Sequence, residues 1–190
     1  SRQLRGLAAP VDWDAEIVAA AEEIDELREQ GREVLPDTCE VYEDPMRVVE
    51  RPDVDVIVVA TASIVHADWS VAALEAGKDA ICEKPMTTTL ADADRIVDAV
   101  RRSGRVFGLS MQNRYSFWAS TMDDLVRSGE MGELTMMWCH EFRCPFWERP
   151  ATNDWISDMK ASGGPFLEKN SHHWDIFNMW AQRPAVRVFG

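Results

Sequence analysis

Two short clusters of ionisable side chains in this sequence could carry proton-transfer chemistry. The first is Glu83-Lys84-Pro85, which directly follows the short apolar stretch 79–82. Pro85 disfavours a helical conformation at Lys84, so the lysine is expected to stay extended at the tip of a strand. A glutamate and a lysine held there could exchange a proton with a bound ligand, or form an ordinary surface ion pair. The tripeptide alone is compatible with both interpretations.

The second cluster lies within residues 163–175, where Glu168, His172 and Asp175 follow one another at i, i+4 and i+7. On a single helix, predicted over residues 167–180, these three side chains share one face. A carboxylate beside an imidazole suits general acid–base catalysis, because each group can tune the pKa of the other. The same face could bind a metal ion, although no zinc-protease signature is present. It could also be a helix N-terminus in which Glu168 complements the dipole.

Regular elements in the middle of the chain are expected to position the first cluster. Strands are predicted over residues 54–60, 79–82 and 105–111, and helices over residues 66–76 and 89–102. Strands that alternate with helices predict βαβ units and a parallel sheet, and therefore an α/β fold. The β-branched run 54–60 is typical of a strand covered on both faces. Ligands of such sheets bind outside the carboxyl ends of the strands, which is where the loop 60–66 and the tripeptide 83–85 lie.

The two ends of the chain have a different pattern. Apolar residues at helical spacing predict an amphipathic helix over residues 13–30. A long strand is predicted over 133–143 and a last, short strand over 186–189, on either side of an irregular aromatic stretch and the second cluster. These elements indicate the start of an α+β second domain with a mainly antiparallel sheet. The predicted division is a partial dinucleotide-binding domain over 1–113 and a partial substrate or oligomerisation domain over 114–190.

Composition limits the classes of protein that fit. The 190 residues include 20 Lys and Arg against 33 Asp and Glu, a net charge of −13, which argues against nucleic-acid and anionic-membrane partners. No apolar run approaches the ~18 to 20 residues of a membrane span. The four cysteines are irregularly spaced and indicate neither a disulfide framework nor a zinc site. A cytoplasmic protein is therefore expected.

Taken together and in this order, the motifs resemble the Gfo/Idh/MocA family of oxidoreductases, named for glucose-fructose oxidoreductase and inositol dehydrogenase. Residues 53–115 look like the nucleotide-binding half of that family, with Glu83-Lys84-Pro85 after its strand and His66 at the end of the preceding loop. Residues 163–175 are similar to the family's Gly-rich helix with its aspartates and histidine. The resemblance covers about residues 39–190.

The resemblance implies a Rossmann-type domain, NAD or NADP as cofactor, and a role for each matching residue. Lys84 is implied to contact the substrate hydroxyl, and His172 to be the acid–base histidine. Glu168 stands where the family usually has an aspartate, and completes the catalytic group. These motifs, more than 80 residues apart, are then expected to converge on one cleft. The residues implied to lie near the cofactor are Thr61, Ser63, His66, Glu83, Lys84, Gln112, Asn113 and Arg114.

Three positions depart from the family pattern. The Gly-x-Gly-x-x-Gly turn that seats the cofactor's pyrophosphate is absent from the sequence, Ala62 replaces the loop proline, and Glu168 is one methylene longer than aspartate. In the family the Gly-rich turn precedes a helix like the one predicted over 13–30, and the second domain continues for longer. The chain is therefore expected to be a fragment, truncated at both ends.

The expected function is hydride transfer between nicotinamide and a sugar, cyclitol or related polyol, with Lys84 and His172 handling the hydroxyl proton. Three alternatives stay open: a redox-neutral NAD-dependent glycosidase or lyase, a non-catalytic dinucleotide- or sugar-binding regulator of the same fold, and a metal-dependent enzyme using His172 and His173. No metal site is assigned. A small-molecule substrate is expected as partner, with homo-oligomers in the full-length protein.

Overall fold

A computed structural model describes residues 15–142 and 155–189 of the chain. These residues fall into two units, each of which is built from separate stretches of the chain. The first unit takes residues 15–60, 68–82 and 94–108, and the second takes residues 61–67, 83–93, 109–142 and 155–189. The domain boundary at residue 113 stays a prediction.

Parallel strand pairs form the framework of the first unit. Strand β1 (Ala19–Ala21) pairs in parallel with β2 (Glu40–Tyr42), and β3 (Val56–Val59) pairs in parallel with β4 (Asp79–Glu83). Strand β5 (Phe107–Ser110) extends the second sheet in the order β3-β4-β5. The α/β fold and the parallel sheet predicted from the middle of the chain are therefore confirmed.

Side-chain burial along β3 differs from the prediction. Val59 is buried, whereas Val56 and Val58 are 45% and 43% exposed. Neighbouring side chains of a strand point to opposite faces, so alternate exposure means that one face of β3 is open among the described residues. The prediction that this strand is covered on both faces is wrong for this structure.

The helices between the strands supply about half of the buried side chains of this unit. Helix α1 spans Asp25–Arg32, α2 spans Met46–Val49, α3 spans His66–Glu75 and α4 spans Leu90–Ser103. The fully buried side chains include Ala73 and Leu74 of α3, Cys82 of β4, and Ile96 and Ala99 of α4. The predictions for α3 and α4 are confirmed to within one residue at either end. Gly77 and Gly104 follow these helices with φ of 78° and 67°, a left-handed conformation that glycine adopts readily.

The helix predicted over residues 13–30 is wrong in its first half. Residues 19–21 form β1 instead, and the helix begins only at Asp25. The Glu40 N–H donates to the Val18 carbonyl at 3.1 Å and the Glu22 N–H to the Tyr42 carbonyl at 3.0 Å. Pairing with a distant segment thus overrides the helical preference of the alanines, a tertiary effect that a local pattern does not contain.

The second unit is helical among the described residues. A 3₁₀ turn at Gln112–Tyr115 leads into α5 (Phe117–Ser128), and α6 (Met159–Ser162), α7 (Gly164–Glu168) and α8 (Ser171–Ala181) follow. The Trp180 indole donates to the Ala119 carbonyl at 3.1 Å and lies edge-on to Trp118, so that α8 packs against α5. None of the helices in the described ranges is long and apolar enough to cross a membrane.

The two strands predicted for the second domain do not form in the described residues. Residues 133–142 and 186–189 have no strand assignment, and no strand follows Ser110 within the ranges that the structure describes. Val186 is fully exposed. A strand needs a neighbour for its backbone groups, and alternation in the sequence does not supply one. The predictions of these two strands are wrong within the described residues, and the antiparallel sheet of the second domain stays a prediction; residues 143–154 lie outside the described residues.

Candidate active site

Lys84 occupies the loop that leaves β4, outside any helix, as the following proline predicts. Its ammonium Nζ donates to the backbone carbonyl of Glu168 at 2.5 Å and to the carboxylate Oε1 of Glu168 at 3.0 Å. The two side chains are 12% and 7% exposed. The structure therefore confirms that the two motifs, far apart in sequence, meet through a shielded ion pair.

A break in the helical chain makes this contact possible. Residues 167–180 were predicted as one helix, but α7 ends at Glu168 and α8 begins at Ser171. The last carbonyl groups of a helix lack an intrahelical donor, and the Glu168 carbonyl accepts from Lys84 instead. The predicted single face with Glu168, His172 and Asp175 at i, i+4 and i+7 is wrong for Glu168, since that residue belongs to another helix.

Gly163 forms the sharp turn that starts α7. It has a φ of 75°, and a Cβ added there would lie 2.4 Å from Cδ2 of Leu167. A larger residue would both strain the backbone and collide with that leucine. Gly163 thus fixes the residue at which α7 starts, and thereby the position from which Glu168 contacts Lys84.

His172 lies in the first turn of α8 and is half-buried. Burial lowers its pKa below the ordinary value, and electrostatic repulsion from Lys84, His173 and Lys169 lowers it further, against the opposing effect of Asp175. Its Nδ1 is buried and has no hydrogen-bond partner among the described residues. A histidine with a lowered pKa is neutral near pH 7 and is able to accept a proton.

Residues of both motifs line a cleft of about 320 Å³ within the second unit. A cavity of this size is at the small end of the range for small-molecule sites, and it suits a compact polar substrate. Predicted residues from three separate stretches of the chain line it. The lining residues are Lys84, Gln112, Asn113, Glu141, Lys169, His172 and His173.

Arg114 and Asp175 form a bidentate ion pair, with Nε–Oδ2 at 2.5 Å and Nη2–Oδ1 at 2.6 Å. Two parallel bonds fix the guanidinium and the carboxylate in one plane. The pair joins the turn that carries Gln112 and Asn113 to α8, and so orders that wall of the cleft. The cofactor contact predicted for Arg114 stays a prediction.

Two cleft residues, Glu141 and Lys169, were not predicted from the sequence as part of this site, and His173 was named only for the metal-dependent alternative. The His173 Nε2 lies 3.5 Å from Glu141 Oε2, and the Lys169 Nζ lies 3.9 Å from Glu168 Oε1. Lys169 follows the last residue of α7 and lies in the break before α8. Asn170, a residue type favoured immediately before the first residue of a helix, is the signal that could have revealed this break.

The predicted cofactor residues of the two strand-end loops differ in exposure. Thr61 is exposed, whereas Ser63 is buried and its Oγ has no hydrogen-bond partner among the described residues. His66 is buried, and Ser110 Oγ donates to Glu83 Oε1 at 3.3 Å. The cofactor contacts of Thr61, Ser63, His66, Glu83, Lys84, Gln112 and Asn113 stay predictions. No group of three His, Cys, Asp or Glu residues in the described ranges is placed to hold a metal ion.

Comparison with known families places this fold in one class. A family profile described as "Oxidoreductase family, NAD-binding Rossmann fold" matches residues 11–111. The match covers more than half of the chain. The chain belongs to the Gfo/Idh/MocA oxidoreductase family.

Curated relatives are named as inositol dehydrogenases. Inositol 2-dehydrogenase of Salmonella typhimurium is 30% identical over 138 residues, which is 72% of this chain and 41% of that protein. Myo-inositol 2-dehydrogenase of Thermotoga maritima is 27% identical over 78% of this chain and 42% of that protein. The chain spans about two-fifths of the length of these relatives.

Solved structures share the fold at lower identity. The WlbA dehydrogenase of Bordetella pertussis, in complex with NADH and UDP-GlcNAcA, matches 96% of this chain and 52% of its own, with a TM-score of 0.81 and 21% identity. A levoglucosan dehydrogenase in complex with NADH matches 93% of this chain and 49% of its own, with a TM-score of 0.74 and 21% identity.

Proposed function

We propose that the protein carrying this chain is an NAD(P)-dependent oxidoreductase acting on a sugar, cyclitol or related polyol. The observation that carries the proposal is the single cleft lined by Lys84, which is held by Glu168, and by His172, whose pKa is lowered. Family membership and relatives named inositol dehydrogenases support it.

A nicotinamide cofactor fits the loops that follow β3 and β4. Such loops form the ligand-binding edge of an open parallel sheet. Ser63 Oγ is a buried polar atom without a partner among the described residues, and a bound polar group can satisfy it. Thr61 is exposed on the same loop. When bound, the cofactor supplies a hydride acceptor or donor at its nicotinamide ring.

The chain's own residues manage the substrate oxygen and its proton. In the oxidation direction, neutral His172 accepts the proton of the substrate hydroxyl as the C–H bond breaks. The Lys84 ammonium donates a hydrogen bond to the oxygen while its negative charge grows, the kind of fixed donor that stabilises a transition state. Glu168 orients the Lys84 ammonium by accepting hydrogen bonds from two of its three N–H groups. The direction of the third N–H group, which is the one offered to the substrate oxygen, is thereby set.

The proposal is tested by incubating the protein with NAD or NADP and a panel of cyclitols and aldoses. Reduction of the cofactor, followed by its absorbance, is expected with members of the panel, and the preferred dinucleotide shows which cofactor is used. Conversion of a substrate without net cofactor reduction would indicate redox-neutral chemistry. Absence of any conversion across the panel would contradict the proposal.

The pH profile of oxidation is expected to report the state of His172. Because its pKa is lowered, kcat/KM should stay high as the pH falls through about 6.5, the ordinary value, and should be lost only below it, when the imidazole gains a proton. Lys84→Met removes one of the charges that lower this pKa, so the acid limb should move to higher pH. Lys160→Met, at an exposed position of α6, should leave the limb in place. An acid limb above the ordinary value in the unmodified protein would contradict this role.

Cofactor affinity of the 190-residue chain by itself is expected to be weak or undetectable. The sequence contains no Gly-x-Gly-x-x-Gly turn, and backbone N–H groups of such a turn supply much of the affinity for the pyrophosphate. Titration calorimetry with NAD and NADP measures this directly. Micromolar binding by the chain would show that the phosphate contacts come from other residues within it.

A further inference from the structure

His66 is a buried histidine that joins the two strand-end loops. It is 1% exposed and begins α3. Its Nδ1 lies 2.8 Å from the Pro85 carbonyl oxygen, and its Nε2 lies 3.2 Å from the Thr61 carbonyl oxygen. Both ring nitrogens of one side chain thus face backbone carbonyls, one on the loop after β3 and one on the residue that follows Lys84.

The chemistry of these contacts is asymmetric. A carbonyl oxygen only accepts hydrogen bonds, and a neutral imidazole carries one N–H. The shorter distance assigns that hydrogen to Nδ1, which donates to Pro85. Pro85 is fully buried and, as a proline, has no N–H, so its carbonyl is its one backbone hydrogen-bonding group. A buried carbonyl needs a donor, and His66 supplies one.

We propose that His66 is a positioning residue that sets the direction of the Lys84–Pro85 segment and so brings the Lys84 ammonium to Glu168. Its burial excludes direct contact with a substrate in this structure, so it acts through the peptide that it holds. The 3₁₀ turn at Ser63–Val65, which precedes His66, also packs against α6, the helix before the Gly163 turn. This inference rests on the proposed function for its effect on catalysis, but its effect on Lys84 is independent of it.

Three substitutions separate positioning from simple filling of space. His66→Asn keeps an amide N–H near the place of Nδ1 and can donate to Pro85. His66→Gln extends its N–H towards the place of Nε2 and Thr61. His66→Leu fills volume without any donor. Ser70→Ala is the matched control, because Ser70 is a buried polar residue of α3 whose hydroxyl has no partner among the described residues.

The Lys84 ammonium itself reports the outcome by ¹⁵Nζ–¹H correlation spectroscopy of the chain. The sequence has four lysines, so the signals can be assigned by single substitutions. Held by two acceptors of Glu168, Lys84 should give a slowly exchanging ammonium signal in the unmodified chain. The signal is expected to persist in His66→Asn and Ser70→Ala, and to be lost in His66→Leu and His66→Gln.

Turnover provides the second readout in the protein carrying this chain. His66→Leu should lower kcat by about 10- to 100-fold, the effect of misplacing a catalytic group by about an ångström. His66→Asn should restore most of kcat.

Equal losses of kcat in the Asn and Leu variants, or a Lys84 signal that survives in His66→Leu, would overturn the proposal. If His66→Leu does not fold, the Asn and Gln pair decides, because equal Lys84 signals in those two would also overturn it. An unmodified protein without dehydrogenase activity would reject the proposed function, while the Lys84 signal would still decide the role of His66.

Discussion

Lys84→Met is expected to lower kcat for polyol oxidation by about 10²- to 10³-fold, the usual effect of removing one fixed donor to a developing oxyanion. Methionine is close to lysine in length and keeps the stem packed, so the loss isolates the ammonium. Steady-state kinetics of the protein carrying this chain measures the change. Lys160→Met is the matched control, since Lys160 is an exposed lysine of the same unit and should retain normal turnover.

Lys84→Arg distinguishes the charge of Lys84 from its ability to exchange a proton. Arginine keeps the positive charge but does not lose its proton near neutral pH. If His172 accepts the proton and Lys84 acts as a cation, the arginine variant should turn over clearly faster than the methionine variant. Equal and severe losses in both would contradict this division of roles and would assign proton transfer to Lys84.

Glu168→Ala is expected to destabilise the protein by about 3 kcal/mol, because it removes the carboxylate partner of a lysine that stays largely shielded from water. Lys84 and Glu168 are 12% and 7% exposed, so water cannot fully replace the lost contact. Urea denaturation of the chain, followed by circular dichroism, measures the free energy of unfolding. Activity should fall with it, since the backbone carbonyl of residue 168 then holds Lys84 alone.

Two controls make this second prediction sharp. The Lys84→Met/Glu168→Leu double variant replaces both charges with apolar groups and should recover most of the lost stability, because no uncompensated charge stays behind. Asp68→Ala breaks the half-exposed pair of Asp68 with Arg95 and should cost about 0 to 1 kcal/mol. A loss for Glu168→Ala no larger than that of Asp68→Ala would show that water, and not Glu168, compensates Lys84.

Local patterns predicted the middle of the fold well. β3 is a β-branched run, α4 has apolar residues at helical spacing, and a glycine follows both α3 and α4, so that these elements lie where they were expected. Residues 13–30 show the limit of this reasoning. Their spacing is helical, yet residues 19–21 pair with Glu40–Tyr42, and the identity of a partner strand is not written in the local sequence.

The sequence motifs predicted which residues lie in the candidate site, but not the geometry of their contacts. Proximity of Lys84 to Glu168 followed from a shared function of two distant motifs, and the structure confirms it. The form of the contact, through the free carbonyl at the end of α7, depends on a helix break that periodicity did not reveal. Lys169, which lies in that break, also lines the cleft. Burial of His66 between two loops is likewise a consequence of tertiary packing.

Transfer of deuterium from a substrate to the cofactor tests the central claim most directly. A polyol that the protein oxidises is prepared with deuterium at its carbinol carbons and incubated with the protein and its preferred dinucleotide. Mass spectrometry of the reduced cofactor should show one transferred deuterium, at a rate that falls sharply in Lys84→Met and His172→Ala and is unchanged in Lys160→Met. Reduced cofactor without deuterium, or equal rates in the unmodified protein and both site variants, would contradict a hydride-transfer site built on Lys84 and His172.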